Sequence, residues 1–253
     1  MDINLESYKE KWTPLLAKPD WYLTVVPDWQ LLQEEFKKKS EQEKDAAKKI
    51  LYDFFEFHIS RGDIALDDAP PDTDAERKPI DAVIIHHTSN LPGMSRDRLS
   101  GVELLRLYAP YFYEPKNAGD APMKGRPIYS GHFRTKQGAR RQVFWPYHWF
   151  VRQDGSAEQL LEDHEIGWQA GNWDVNCRSV AICFDGDFEH ARPSDAELNA
   201  AADIIKKYYA HVPHDRIFGH REINLKTTCP SQIFLSDTAK HQHGWKEDLI
   251  SLL

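Results

Sequence analysis

The sequence has few cysteines. Only Cys177, Cys183 and Cys229 occur in 253 residues. Three thiols cannot build a disulfide framework, so the fold must depend on a buried core, and a composition of 41% hydrophobic residues is sufficient for one. We expect Cys177 and Cys183 to be reduced, with Cys183 in the core of a strand and Cys177 near a loop.

An excess of positive charge and long apolar runs are both missing. The formal net charge is −8, which argues against a nucleic-acid partner, since neutralising phosphates requires a basic surface. No stretch approaches transmembrane length, and the first residues lack a basic region followed by an apolar one. The sequence predicts no membrane span and no signal peptide, and hence a protein that is cytoplasmic or is released or delivered by a non-standard route.

The HExxH pattern of zinc proteases is also missing. The chain has instead three other residues that can bind a metal ion. His86 lies in DAVIIHHTSN, and His220 and Cys229 lie nine positions apart in GHREINLKTTCPS. Two imidazoles and a thiolate are a set that zinc accepts, with a fourth position left for water. This set predicts a Zn²⁺ cofactor and metal-assisted hydrolysis.

The two histidines each follow a predicted strand. The run DAVII is apolar and β-branched, and RIFGH ends a second such run. In α/β sheets, sites form outside the carboxyl ends of the strands. We therefore expect His86 and His220 to meet at one edge of a sheet.

Four sequence segments resemble one known family. In this order along the chain, they are VIIHHT (83–88), PYHWFVRQDGS (146–156), NCRSVAICFDGDFE (176–189) and GHREINLKTTCPS (219–231). Residues 78–231 resemble the zinc-dependent N-acetylmuramoyl-L-alanine amidases, the type 2 amidases that share a fold with peptidoglycan recognition proteins and T7-type lysozyme. The resemblance implies an α/β fold, with a mixed central β-sheet flanked by helices, and an N-terminal helical extension precedes it.

The resemblance also implies site residues and a reaction. His86, His220 and Cys229 match the zinc ligands, Tyr147 matches the catalytic tyrosine, and Thr227 matches a position where relatives carry threonine or lysine. The implied reaction is hydrolysis of the amide between N-acetylmuramic acid and L-alanine in peptidoglycan or muropeptides. Metal-activated water would be the nucleophile, and the tyrosine hydroxyl would stabilise the oxyanion.

Two positions depart from the family pattern. Relatives usually have the cysteine eight positions after the second histidine, and in this chain it is nine positions after, so either Thr227 or Thr228 could face the site. Gln169 is found where many relatives have histidine, and we expect altered substrate contacts there. Members that only recognise peptidoglycan typically lack the cysteine, so the presence of Cys229 favours catalysis.

A rim of glycine and aromatic residues is expected around the substrate. By resemblance, the segment DHEIGWQAGNWD holds glycan and peptide, with Trp168 and Asn172 as contacts. His87 is a further candidate for substrate contact, and it competes with Tyr147 and water for proton transfer to the departing amine. The sequence does not choose among these three.

A basic hairpin is predicted directly before Tyr147. Residues 124–141 carry six basic and no acidic residues. Arg134 is the candidate there for binding substrate carboxylates, which arginine holds in a bidentate way; a solvated loop is the alternative. His132 is left out of the metal set because a fourth protein ligand would fill the position that water needs.

The chain is predicted to have three parts. Residues 1–60 form a helical N-terminal extension, residues 61–79 an acidic, proline-containing linker, and residues 80–253 the zinc amidase domain. One apolar helical face is predicted in the extension; it comprises Ala47, Ile50, Leu51, Phe54 and Phe55. We expect this face to pack on the domain, with self-association as the alternative.

Two competing functions remain open. The first is a module that binds peptidoglycan fragments without cutting them, and the second is a zinc amidase for a different amide. The sequence also leaves open whether the substrate is polymeric wall or a soluble fragment. Fragment recycling, a phage-type lysin and a toxin delivered to rivals are each consistent with the missing signal peptide.

Overall fold

The computed structural model describes residues 3–114, 123–136 and 138–253. The chain forms two compact units, and each is built from two stretches of sequence. The first, here called the helical unit, comprises Met1–Asp72 and Ser95–Trp145. The second, here called the sheet unit, comprises Thr73–Met94 and Pro146–Leu253.

The helices and strands are given in chain order. The α-helices are α1 (Leu5–Trp12), α2 (Tyr22–Phe36), α3 (Glu41–Arg61), α4 (Arg96–Glu103), α5 (Ala109–Tyr113), α6 (Trp173–Arg178), α7 (Asp195–Tyr208), α8 (His220–Ile223) and α9 (Trp245–Ser251). A π-helix, Leu104–Tyr108, joins α4 to α5. The strands are β1 (Ala82–His87), β2 (Phe133–Lys136), β3 (Ala139–Gln142), β4 (Trp149–Val151), β5 (Ala157–Gln159), β6 (Ser179–Phe184) and β7 (Ile217–Gly219).

The helical unit has an aromatic core. The ring centroids of Trp12 and Trp21 lie 5.8 and 5.7 Å from that of Phe55. The indole N–H of Trp12 donates to the buried Asp28 carboxylate over 2.8 Å, so the one polar atom of that ring is satisfied. The apolar face predicted on α3 is buried at Leu51, Phe54 and Phe55, whereas Ile50 is 44% exposed and Ala47 is half-buried.

The helix α4 packs against α3, although the two are far apart in sequence. A Cβ at Gly101 would lie only 2.4 Å from the Tyr52 carbonyl oxygen, so the backbones cross at a point where only glycine fits. The Gly101 N–H donates to the Glu56 carboxylate over 3.0 Å, and Arg98 contacts Asp53 at 2.5 Å. These contacts group residues 95–145 with the N-terminal helices, whereas the sequence prediction assigned them to the domain of residues 80–253.

Two local predictions need refinement. The predicted hairpin forms as β2 paired with β3, with Gln137 outside the described residues. Cys177 lies in α6 and is buried, not near a loop, because the apolar side of this short helix faces the core.

The sheet unit contains a mixed five-stranded sheet of order β5-β4-β6-β1-β7. Strands β4, β6, β1 and β7 are parallel, and β5 is antiparallel to β4 at one edge. Helices lie on both faces of the sheet. The predicted fold class, a mixed central sheet flanked by helices, is confirmed.

The two faces of β1 belong to different cores. Val83 and Ile85 lie in a large core that includes residues of α7 and α9. Ala82 and Ile84 lie in a smaller core with Ala170 and Val175. Because side chains alternate along a strand, His86 follows the smaller core and His87 the larger one.

The first turn of α7 is held by side-chain hydrogen bonds at its N-cap. The hydroxyl of Ser194 accepts the Glu197 N–H, and the Glu197 carboxylate accepts the Ser194 N–H, which makes a capping box.

None of the three cysteines is in a disulfide. Within the described ranges, no helix has the length and hydropathy needed to cross a membrane.

Candidate metal centre and active site

The pairing of β1 with β7 brings two histidines together. In this parallel pair, Ile85 lies beside Gly219. The next residues are His86, which is still in β1, and His220, which follows β7 as the first residue of α8, and their ring centroids are 4.7 Å apart. The prediction that two strand ends deliver these histidines to one sheet edge is confirmed for the strands and their pairing.

The glycine before His220 has no room for a side chain. A Cβ at Gly219 would lie 2.6 Å from the Phe234 ring and 2.8 Å from Cδ of Pro230. Phe234 is fully buried, so neither neighbour can give way cheaply. This close packing holds the chain that follows Cys229 directly against β7.

Two backbone hydrogen bonds fix Cys229. Its N–H donates to the Thr227 hydroxyl oxygen over 3.1 Å, and its carbonyl accepts the Arg221 N–H over 2.7 Å. The sulfur lies 3.6 Å from Nδ1 of His86. The loop that carries the cysteine is therefore tied back to α8, whose first residue is His220.

The three side chains form a set that fits a zinc ion. One ligand atom from each of His86, His220 and Cys229 lies within 4.8 Å of the other two. Two imidazoles and one thiolate match the donor chemistry of zinc and leave a fourth position open, as in catalytic sites. Carboxylate oxygens, which would favour magnesium or calcium, are not part of this set.

The environment of His86 favours a neutral ring. The side chain is buried, and burial, followed by the nearby His220 ring, holds the pKa of His86 well below its ordinary value. A neutral imidazole is the form that binds a metal. Near neutral pH, no proton has to be removed from this ring before it can act as a ligand.

Tyr147 lies beside the histidines. Its ring centroid is 5.1 Å from that of His86, and the side chain is half-buried. Tyr147 precedes β4 by two residues and is not part of it. The preceding Pro146 is packed against Gly167, where a Cβ would lie 2.1 Å from the proline carbonyl oxygen, so this approach also requires glycine.

The two neighbouring threonines have different surroundings. Thr227 is half-buried, and its hydroxyl oxygen accepts the N–H of the candidate ligand Cys229. Thr228 is exposed, and its hydroxyl donates to the Glu189 carboxylate over 2.9 Å. Of the two alternatives left by the extra loop residue, Thr227 is the one in contact with the candidate metal ligands.

The predicted substrate contacts in the sheet unit are not brought together. His87 lies on the opposite face of β1 from His86, and its Nδ1 accepts the Phe188 N–H over 3.0 Å. Trp168 is half-buried and packs edge-on against Trp173, with ring centroids 6.2 Å apart. Asn172 is exposed and caps α6.

Arg134 lies in the helical unit. It is on β2, its guanidinium carbon is 5.4 Å from the ring centroid of Trp145, and Nη1 donates to the Phe133 carbonyl over 2.9 Å. Its predicted role in binding a substrate carboxylate stays a prediction.

Gln169 has a different environment from the one expected. We expected altered substrate contacts at this position, but the side chain is only 5% exposed. Its Oε1 lies 2.6 Å from Nε2 of His86, and its Nε2 donates to the Ser179 hydroxyl oxygen over 2.9 Å. Sequence reasoning missed this contact because nothing in GWQAG indicates that the glutamine points inward.

Comparisons with known proteins give one family match. Residues 76–232 match the family described as N-acetylmuramoyl-L-alanine amidase. Among curated protein sequences, none matches the chain.

Several solved structures are similar to the chain. The amidase LysC from Clostridium intestinale URNW is 15% identical over 72% of this chain and 89% of its own, with a TM-score of 0.44. Drosophila peptidoglycan recognition protein SD is 18% identical over 61% and 76%, with a TM-score of 0.39. Apis mellifera PGRP-SA is 22% identical over 61% and 78%, with a TM-score of 0.37.

Proposed function

Because this chain belongs to the N-acetylmuramoyl-L-alanine amidase family, we propose that it is a zinc-dependent enzyme that cleaves the amide between N-acetylmuramic acid and L-alanine. The observation that carries the proposal is the cluster of His86, His220 and Cys229, with ligand atoms within 4.8 Å of one another. Since members that only recognise peptidoglycan typically lack the cysteine, the presence of Cys229 favours cleavage over recognition alone.

In this proposal the three clustered side chains hold the metal. When bound, zinc supplies a Lewis acid for the amide carbonyl and lowers the pKa of water towards neutrality. The low pKa of His86 keeps its ring neutral and ready to bind, and burial is the main cause. The N–H of Cys229 is held by Thr227, which limits the movement of the thiolate.

Tyr147 is the proposed donor to the oxyanion. Its ring centroid lies 5.1 Å from that of His86, so the phenol lies beside a candidate metal ligand. A phenol donates a hydrogen bond without changing the charge of the site near neutral pH. Donors aimed at developing charge are often the largest single contribution to catalysis of acyl transfer.

Trp168, Asn172 and Arg134 are the proposed substrate contacts. Trp168 and its neighbour Trp173 offer an aromatic surface for glycan and peptide, and Asn172 is exposed beside them. Arg134 is the proposed partner for a carboxylate of the peptide. His87 is not favoured as a contact because its Nδ1 already accepts the Phe188 N–H. The substrate is peptidoglycan or a muropeptide.

The test combines zinc content with turnover. Purified full-length protein is analysed for bound zinc and for hydrolysis of a muramoyl peptide, with the free L-alanyl peptide as the product measured. Cys229→Ser should lose stoichiometric zinc and activity together. Cys177→Ser makes the same change at a buried cysteine in α6 that is not one of the three candidate ligands, and should keep both.

Other outcomes would redirect the proposal. If zinc binds and muramoyl peptide is bound but not cut, the chain is a recognition module. If zinc binds and only a different amide is cut, the metal centre stands and the proposed substrate is wrong. Activity in a protein without zinc, or an unchanged zinc content in Cys229→Ser, would contradict the proposed metal centre itself.

A further inference from the structure

We propose that Gln169 is a positioning residue for the metal centre, whose amide oxygen keeps His86 in the tautomer that leaves Nδ1 free to bind the metal. The inference rests on the proposed function, because it takes zinc as the metal. It goes further by assigning a role to a residue outside the ligand set.

The orientation of the Gln169 amide follows from its second partner. The Ser179 hydroxyl donates to the Val175 carbonyl over 2.6 Å, so its proton is already used. Towards Gln169, 2.9 Å away, the Ser179 oxygen can only accept. The amide NH₂ group of Gln169 must therefore face Ser179, and its carbonyl oxygen must face His86.

The tautomer of His86 follows in turn. An amide oxygen has no proton to give, so the His86 nitrogen that lies 2.6 Å from it must be the donor. That nitrogen is Nε2, and in a neutral ring Nδ1 then carries the lone pair. Nδ1 is the nitrogen that lies 3.6 Å from the Cys229 sulfur. The hydrogen bonds alone therefore direct the Nδ1 lone pair of His86 towards the Cys229 sulfur.

The glutamine is itself held rigidly. The N–H groups of Gln169 and Ala170 donate to Oδ1 of Asn176 over 3.3 and 2.8 Å. Ser179 begins β6, the strand paired with β1. Gln169, Asn176 and Ser179 are all buried, at 5%, 6% and 0% exposure. Because water cannot easily replace any of these contacts, the position of the amide oxygen is set by the fold.

Partners of this kind orient a metal-bound histidine and raise its basicity. Removing such a partner typically lowers metal affinity by about 10- to 100-fold. A leucine at position 169 keeps the approximate volume but cannot accept the His86 N–H. The buried ring would then lose its partner and could rotate or change tautomer.

The experiment compares Gln169→Leu with a matched control. Gln142 is also a buried glutamine with two hydrogen bonds, from the Ser130 N–H and to the Asp67 carbonyl, and it lies in the helical unit. Zinc affinity is measured by competition with a chromophoric chelator, and the cobalt-substituted proteins are compared by visible absorption. We expect about a 10- to 100-fold loss of zinc affinity and a changed cobalt spectrum in Gln169→Leu, and neither effect in Gln142→Leu.

A third variant tests whether the acceptor is what matters. Gln169→Glu keeps an oxygen facing His86, and the Ser179 hydroxyl can turn to donate to the other oxygen. Zinc affinity should return to within a few-fold of the wild-type value. If Gln169→Leu binds zinc as tightly as the wild type, or if Gln169→Glu is as weak as Gln169→Leu, the positioning role is wrong.

A direct measurement needs neither a variant nor metal. Nitrogen chemical shifts and the pattern of long-range ring couplings distinguish the two neutral tautomers of histidine by NMR. In zinc-free wild-type protein, His86 should be protonated at Nε2. An Nδ1-protonated ring would overturn the inference even if all the variants failed to fold.

The two proposals fail in different ways. A wild-type protein that binds no zinc contradicts the proposed function. A wild-type protein that binds zinc and cleaves its substrate, with an unchanged affinity in Gln169→Leu, contradicts only the role of Gln169.

Discussion

At the scale of single residues, Tyr147 makes the sharpest prediction. Its proposed hydroxyl donation is needed only when charge develops on the substrate oxygen. Tyr147→Phe should therefore lower kcat by about 10²- to 10³-fold, the usual effect of removing one oxyanion donor, with little change in KM. Bound zinc should be unchanged, because the phenol is not among the clustered ligand atoms. Steady-state kinetics with a muramoyl peptide and metal analysis measure both effects.

A second tyrosine provides the control for this change. Tyr208, at the end of α7, is 43% exposed, and Tyr208→Phe removes the same atom from a residue that is not one of the candidate metal ligands. Its kcat should match that of the wild type. Equal kcat values for Tyr147→Phe and Tyr208→Phe would remove Tyr147 from the proposed chemistry.

Some residue-scale features could be read from the sequence and some could not. His86 and His220 could be paired in advance, because parallel strands end at the same edge of a sheet. The sequence was also sufficient to predict that His86 and His87 lie on opposite faces of β1, since neighbouring residues of a strand face opposite sides. The role of Gln169 could not be predicted, because its inward orientation depends on Ser179, which belongs to β6.

At the scale of secondary structure, α3 carries an unusual lysine. The Lys48 side chain is only 12% exposed and lies 3.9 Å from Asp45. The pKa of Lys48 is lowered to about 8, mainly by burial and next by the charge of Arg106 in the π-helix, while Asp45 opposes the shift. Lys44 lowers it slightly and Glu41 raises it. The folded state therefore releases this proton at a lower pH than the unfolded chain.

The sign of the pH effect follows from proton binding. Between pH 8 and the ordinary lysine value near 10.5, the unfolded chain holds more protons at this position than the folded protein does. The contribution of Lys48 to the free energy of unfolding should therefore increase with pH across that range, by on the order of 1–2 kcal/mol after a discount for residual solvent contact. Urea unfolding at pH 8 and pH 10 measures it.

The test compares two lysine variants of α3. Lys48→Met should be more stable than the wild type near pH 7.5, and its advantage should shrink towards pH 10. Lys49→Met, at the neighbouring position where the lysine side chain is 56% exposed, should show no such pH-dependent difference. The same pH profile for both variants would mean that burial of Lys48 does not control stability.

The helices themselves were largely predictable, but their partners were not. Apolar spacing predicted the buried positions Leu51, Phe54 and Phe55 of α3, because a 3.6-residue period places them on one side. The crossing of α3 by α4 depends on Gly101 and on a contact between segments 45 residues apart. A single glycine in a helix does not identify the helix that it approaches, so local sequence patterns could not predict this packing.

At the scale of the whole molecule, the division into units was the least predictable feature. The acidic, proline-containing residues 61–79 suggested a boundary between two contiguous domains. In the structure, Leu66 forms a bridge with Ile128, and the chain returns to the helical unit over residues 95–145. Composition marks exposed segments, but it carries no information about where the chain returns to an earlier unit.

The candidate metal ligands lie on segments that are far apart in sequence. His86 and Cys229 are 143 residues apart, and His220 follows a different strand from His86. An unfolded chain does not hold these donors in one place, so zinc should bind the folded protein far more tightly. Removal of zinc should therefore lower the stability of the protein as well as its activity.

The size of this effect follows from mass action. At a free zinc concentration 1,000 times the Kd, binding contributes about 4 kcal/mol to the free energy of unfolding. Thermal unfolding of the full-length protein, with zinc buffered at several free concentrations, should show a Tm that rises with the logarithm of zinc concentration. Cys229→Ser should show little of this dependence, while Cys177→Ser should follow the wild type. A wild-type Tm that is the same with zinc and with chelator would mean that the three side chains do not form a strong zinc site, however close they lie.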